Sequence, residues 1–107
     1  MNYFAHAVRF LDTSDPYFIA GTGVPDWLTV ADRQVRVRRR HLAPKLADAD
    51  RQTAALAQGI LQHLHDDARF HENRAFVEMS LAIAASSRDI LVEPQGLRPA
   101  FLGHLLV

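Results

Sequence analysis

Apolar positions recur every three to four residues along most of this chain, the period of a helix rather than a strand. Tyr3, Phe4, Ala7, Val8 and Leu11 make one face of a first helix over residues 2–11. Asp12-Thr-Ser-Asp-Pro16 interrupts it, and Pro16, with Asp15 as a cap, opens a short second piece reaching Ala20. Gly21-Thr-Gly23-Val-Pro25-Asp26 reads as a turn or loop, because two glycines and a proline break the period. Trp27 to Val37 fits a short helix followed by an irregular basic stretch. Asp48 to Asp50 caps the longest helix, which runs to about His71, and a further helix covers roughly Asn73 to Ser86. Glu93 to Gly96 is a connector, and Pro99 suits the first turn of a last helix through Val107. The pattern predicts an all-α fold, a compact multi-helix bundle, and 107 residues suffice for one domain spanning 1–107.

The longest helix breaks its own pattern. Its apolar stripe runs Leu56, Ile60, His63, Asp67, Phe70, so two polar side chains stand where core residues are expected. Residues four apart share a helix face, each turned about 40° from the last. His63, Asp67 and His71 therefore form a ladder along one side. A buried imidazole or carboxylate is costly unless it is paired or bound to a metal. The substitution of chemistry for packing on that stripe is the first pointer to function.

Composition narrows the chemistry. Cysteine is absent, so there is no thiolate site and no disulfide framework, and any metal must be held by nitrogen and oxygen. Twelve basic residues balance twelve acidic ones, which gives no overall attraction to nucleic acid or membranes. No apolar run approaches the roughly 18 residues of a spanning helix, and Met1-Asn2-Tyr3 lacks the basic start of a signal peptide. The cytoplasm is the expected compartment. Locally, Arg33, Arg36, Arg38, Arg39, Arg40 and Lys45 hold half of the basic residues in a 13-residue window.

One straight helix cannot surround an ion, so other segments must contribute ligands. Histidine and aspartate are usual donors to zinc, manganese or iron, and a bound divalent metal acidifies its water enough to make a nucleophile near neutral pH. His104 shares the face of Leu97 and Phe101, with Gly103 allowing close helix approach. Asp26 follows Gly23 and Pro25 on a loop that would aim it. His6 lies at the edge of the first helix's apolar face. Each has a plainer reading: His63 and Asp67 as a pair tying helices together, His71 as a complement to the helix dipole, Asp26 as a cap, His6 as half-exposed packing, His104 as a core histidine. His65-Asp66 is a rival adjacent dyad, but His65 falls about 200° round from His63 and would face solvent. Arg38, Arg40 and His41 could neutralise a phosphorylated substrate, guanidinium being suited to bidentate phosphate contact, or could be plain solvated surface. Nucleic acid is not expected, since no aromatics interleave with the arginines.

With these residues in place, the chain resembles acyl carrier protein phosphodiesterases and their HD-like relatives. Asn2-Tyr-Phe-Ala-His6 is similar to that family's Asn-Phe-Leu-Ala-His opening. Gly21-Thr-Gly-Val-Pro-Asp26 is similar to its Gly-Asn-Leu-Leu-(Ala/Pro)-Asp loop, and Gly59-Ile60, His63 and Asp67 match its Gly-Ile-x-x-His-x-x-x-Asp helix. Leu64 and Phe70 replace the family's Arg and Thr, and His71 stands where it usually has another aspartate. The resemblance implies an α-helical, manganese-favouring phosphodiesterase acting on the phosphopantetheine linkage of holo-acyl carrier protein. A second resemblance is to zinc-dependent phospholipase C, through Pro25-Asp26, Gly59 to Asp67, and His104 as the start of a His-x-x-x-acid motif.

The sequence thus leads to a metal-dependent phosphoric-ester hydrolase. His6, Asp26, His63, Asp67 and His104 would hold one or two divalent ions (manganese, zinc or iron). His71 would donate a proton to the leaving group or contact substrate, and Arg38, Arg40 and His41 would receive the phosphate. The alternative is a non-catalytic helical interaction module derived from such an enzyme, with a homodimer formed through Leu105, Leu106 and Val107. The uncapped end at Val107 suggests a truncated form of a larger helical domain.

Overall fold

The computed structural model describes residues 3–12, 15–90 and 103. Its described residues form five α-helices and no strand: α1 (Tyr3–Ala7), α2 (Pro16–Ala31), α3 (Arg39–Leu42), α4 (Arg51–His71) and α5 (Arg74–Ile90). Tighter 3-10 turns follow α1 at Val8–Phe10 and α3 at Ala43–Lys45. The all-α expectation holds. By its packing the chain divides into two compact units, 2–67 and 68–107, with the boundary inside α4.

Helix starts follow local chemistry. Asp15 caps α2 by accepting from the Tyr17 N–H at 2.8 Å, with Pro16 at the first helical position. Asp50 does the same for α4, its Oδ2 accepting from the Thr53 N–H at 2.9 Å. Asn73 caps α5 through an Oδ1 bond from Ala75 N–H at 2.9 Å. The expected first helix over 2–11 is shorter as an α-helix, ending at Ala7 before its 3-10 turn.

The largest correction concerns Gly21 to Asp26. This segment is not a loop: it lies inside α2, which continues through Pro25 to Ala31. Gly21 serves a helix crossing rather than a turn, while Gly23 leaves space for the Trp27 ring one turn on. A Cβ on Gly21 would run into the Leu56 carbonyl oxygen and come within 3.0 Å of Gly59 Cα. A Cβ on Gly59 would strike the Phe18 carbonyl oxygen and stand 2.9 Å from Gly21 Cα. Two glycines facing each other let the backbones of α2 and α4 approach where any side chain would hold them apart. Pro25, which lacks an N–H to donate, lies inside α2 without ending it.

In the 2–67 unit the apolar core is small: Leu42, Ala57 and Ile60, with Val24, Val37, Leu46, Leu56, Leu61 and Leu64 packed against them. α1 packs on α2, and Phe10 meets Phe18 edge to face with centroids 5.1 Å apart. The largest fully buried side chains are not apolar; they are His6, His63 and Thr22. In the 68–107 unit, Phe76 and Ala84 are buried, the Phe70 and Phe76 rings meet at a tilt with centroids 4.5 Å apart, and Gly103 lies so close to α5 that a Cβ would meet the Ser80 carbonyl. The rest of the expected last helix, with Leu105 to Val107, lies outside the described residues. No helix among the described residues is long and apolar enough to cross a membrane.

Candidate metal centre

Three segments distant in sequence meet in the 2–67 unit. α4 contributes His63 and Asp67, one turn apart on the same face. α1 contributes His6, and α2 contributes Asp26 and the Thr22 carbonyl, again one turn apart. The Gly21–Gly59 crossing is what brings Thr22 within reach of α4, because His63 lies one turn past Gly59.

His63 is 2% exposed, and its Nδ1 bonds to the Thr22 carbonyl oxygen at 2.7 Å. A carbonyl can only accept, so Nδ1 carries the proton in that bond. Nε2 is then left facing two carboxylates, Asp67 Oδ2 at 3.4 Å and Asp26 Oδ1 at 3.8 Å. A lone pair aimed at two anions is unfavourable unless a cation lies between them, either a second proton or a metal ion. An imidazole whose outer N–H is fixed by a backbone carbonyl is also the usual posture of a metal-ligating histidine.

His6, expected as half-exposed at a face edge, is instead fully buried at 0% exposure. The physical reason is that α1 is covered on that side by α2 and by the acidic turn of α4. Its ring lies 3.9 Å from that of His63 and tilted by 30°. Its Nε2 is 3.3 Å from Asp67 Oδ1 and its Nδ1 is 3.7 Å from Asp66 Oδ2. Neither pair is aligned as a hydrogen bond: both His6 nitrogens and Asp67 Oδ1 are buried without a hydrogen-bond partner. Orphaned buried polar atoms are rare in folded proteins and call for a specific cause.

Ionisation follows from this crowding. Burial by itself lowers the His63 imidazole, but the Asp67 carboxylate, the Thr22 carbonyl and the charge of Asp26 outweigh it and raise the group above its ordinary value. Burial by itself would raise the Asp67 carboxyl, yet the adjoining His6 and His63 imidazoles hold it well below the usual carboxylate range. Asp67 is therefore an anion shared by two rings. One ligand atom each from His6, His63 and Asp67 falls within a 4.8 Å cluster, the size of a divalent-cation site.

Asp26 joins the cluster edge from a helix, not from the expected loop, because Gly21 serves the crossing with α4 and Gly23 makes room for the Trp27 ring on its own helix. His71 is exposed at the last residue of α4, in the 68–107 unit, with its ring 5.1 Å from Phe76. Arg38, Arg40 and His41 are exposed beside and on α3, where Arg40 Nε donates to His41 Nε2 at 3.3 Å. Among the described residues no hydrogen bond or ion pair joins them to the cluster. Arg39 instead lines a surface cavity with Phe18, Gln58, Leu61, Gln62 and His65. His104 lies outside the described residues.

Sequence reasoning missed Thr22, Arg9, Gln62 and the part played by Asp66. Thr22 acts through its backbone carbonyl, which no residue identity announces. Asp66 does not act with His65, which turns outward to the surface cavity, but turns toward α1. Arg9 could have been noticed, since it follows His6 by three residues and so shares its side of the chain. Comparisons with protein-family models, with curated proteins and with solved structures returned no match to this chain.

Proposed function

We propose that the 2–67 unit binds a divalent metal ion and that the protein hydrolyses a phosphoric ester with it. The observation that supports the metal is His63, its Nδ1 committed to Thr22 and its Nε2 pointed between Asp67 and Asp26 beside a buried, unpartnered His6. His6, His63 and Asp67 would be the ligands, with Asp26 at the edge of the set. Mixed imidazole and carboxylate donors suit zinc, manganese or iron. Such an ion supplies Lewis acidity, drawing charge from a phosphoryl oxygen and making water acidic enough to attack it.

The chain's own groups account for the rest of this reading. Asp26 and Asp67 are each about one-third exposed, which leaves the carboxylate edge of the cluster open to a substrate. Thr22 holds His63 against rotation. Arg38, Arg40 and His41, exposed beside and on α3, are the phosphate-receiving surface in this reading. The similarity to acyl carrier protein phosphodiesterases favours a phosphodiester, with phosphopantetheinylated acyl carrier protein as the substrate to try first.

The test is metal analysis of the full chain purified without chelator, followed by assays on bis(p-nitrophenyl) phosphate and holo-acyl carrier protein with manganese or zinc. Bound metal and metal-dependent turnover, both abolished in His63→Ala, are expected. Metal at background level with no turnover would leave the proposal without support. The alternative, a non-catalytic module, draws on α5, where Val77 and Leu81 lie one turn apart and are 45% and 64% exposed. Metal binding without turnover, together with a concentration-dependent dimer in sedimentation, would favour it.

A further inference from the structure

We infer that Asp66, pinned by Arg9 and Gln62, is a positioning residue that orients His6 for the metal ion; the inference rests on the metal reading above. A neutral imidazole carries one N–H, and the groups on either side of the ring decide which nitrogen holds it. On the Nε2 side of His6 lies Asp67, the shared ligand. On the Nδ1 side lies Asp66 Oδ2, at 3.7 Å. An acceptor behind Nδ1 draws the proton there and leaves the Nε2 lone pair pointing into the cluster. This repeats the disposition of His63, whose Nδ1 faces the Thr22 carbonyl while Nε2 points inward. Each histidine thus has an oxygen behind it and presents the same nitrogen to the centre.

Asp66 is built for that task rather than for solvent. Its side chain is 11% exposed, and its Oδ1 accepts from Arg9 Nη2 at 2.6 Å and from Gln62 Nε2 at 2.9 Å. Those two donors fix the carboxylate plane and leave Oδ2 for His6. Gln62 sits one turn before Asp66 on α4, and Arg9 lies three residues after His6. The carboxylate therefore grips the segment that carries the ligand at two points. At 3.7 Å the Nδ1 contact is electrostatic, longer than a formed hydrogen bond. An Arg–carboxylate pair on a surface would contribute little by itself. What sets this one apart is the remaining oxygen, aimed at a buried imidazole that has no hydrogen-bond partner.

The experiment titrates the metal-free full chain with zinc(II) and manganese(II) by calorimetry, at a temperature where circular dichroism shows every variant folded. Variants are Asp66→Ala, Asp66→Asn and Arg9→Met, with Arg74→Met as a control that breaks an exposed ion pair on α5. Loss of an outer partner of a ligating histidine typically weakens affinity by about 10–100-fold. That loss is expected for Asp66→Ala, a smaller one for Asp66→Asn, whose amide oxygen can still accept, and none for Arg74→Met. The cobalt(II) absorption spectrum should shift in Asp66→Ala, which a loss of stability alone would not produce. Wild type binding metal while Asp66→Asn and Arg9→Met bind equally, with unchanged cobalt spectra, would overturn the inference and leave the metal reading standing. Wild type failing to bind either ion would overturn the metal reading itself. Should Asp66→Ala not fold, Asp66→Asn and Arg9→Met carry the test.

Discussion

The first turn of α4 and its stretch from Gly59 to Asp67 belong to one continuous helix, yet they place polar groups in opposite ways. At the start, Asp50 is exposed and bonds to Thr53, three residues on. Further along, His63 is buried and bonds to Thr22, forty-one residues away. The capping carboxyl is lowered mainly by its bond from the Thr53 hydroxyl, and also by the Thr53 N–H, with no help from distant residues. Asp67 is lowered against the pull of burial by two imidazoles, one of them from another helix. A local polar contact is secure because the helix supplies its geometry. A buried one exists only if another segment arrives, and here that depends on two glycines.

Removing the shared anion should break the second region most severely. Asp67→Ala is expected to reduce metal affinity by well over the ~100-fold upper range seen for outer partners, because it deletes a direct ligand. Calorimetric titration would show this, and an affinity equal to wild type would remove Asp67 from the ligand set.

Gly59→Ala comes next. Its Cβ would collide with the Phe18 backbone, which cannot yield like a side-chain tip. Overpacking of this kind costs about 1–3 kcal/mol, more than the roughly 1 kcal/mol that alanine gains over glycine in a helix. Urea denaturation should therefore show net destabilisation, and metal affinity should fall with it as Thr22 loses register with His63. A more stable Gly59→Ala protein would mean that α2 and α4 are not held at this separation.

The pH response separates the two regions without mutation. His63 is raised above 6.5 in the folded state, so its contribution to stability is complete below that pH and is lost as pH rises through the folded value. Asp67 is depressed below 3.8, so its contribution is present above that pH and is lost as pH falls through the folded value. The metal-free protein should accordingly be most stable between about pH 3.8 and 6.5. Saturating zinc should remove the decline on the alkaline side, since the ion replaces the proton between Nε2 and the carboxylates. Thermal melts across pH with and without zinc would reveal it; identical alkaline limbs would contradict a cation at that position.

Asp50→Ala should have the smallest effect, a slight fall in melting temperature with metal affinity unchanged. A marked loss of metal affinity would show that the two ends of α4 are less independent than their contacts indicate.

Much of the fold was readable from the chain. The cap Asp15 and the Asp48 to Asp50 segment placed two helix starts, and apolar periodicity placed a third near Asn73, because those signals act within a few residues. The presence of His63 and Asp67 on the stripe of α4 flagged the site for the same reason. The run from Gly21 to Asp26 misled, since glycine and proline mark turns when their only role is local. Here Gly21 answers to Gly59 across a helix crossing, a partner that no window around residue 21 contains. His6 was undervalued because a five-residue helix gives little periodicity to judge burial by.

Helical periodicity, caps and the absence of thiols were determined by the sequence itself, since each depends on neighbours within a turn or on composition. So was the face shared by His63 and Asp67. Only the tertiary structure decided that His6 is buried, that Asp26 comes from a helix, and that Thr22 and Asp66 stand behind the two imidazoles. Those outcomes depend on how closely α1, α2 and α4 approach, and that distance is set by contacts between residues far apart in the chain.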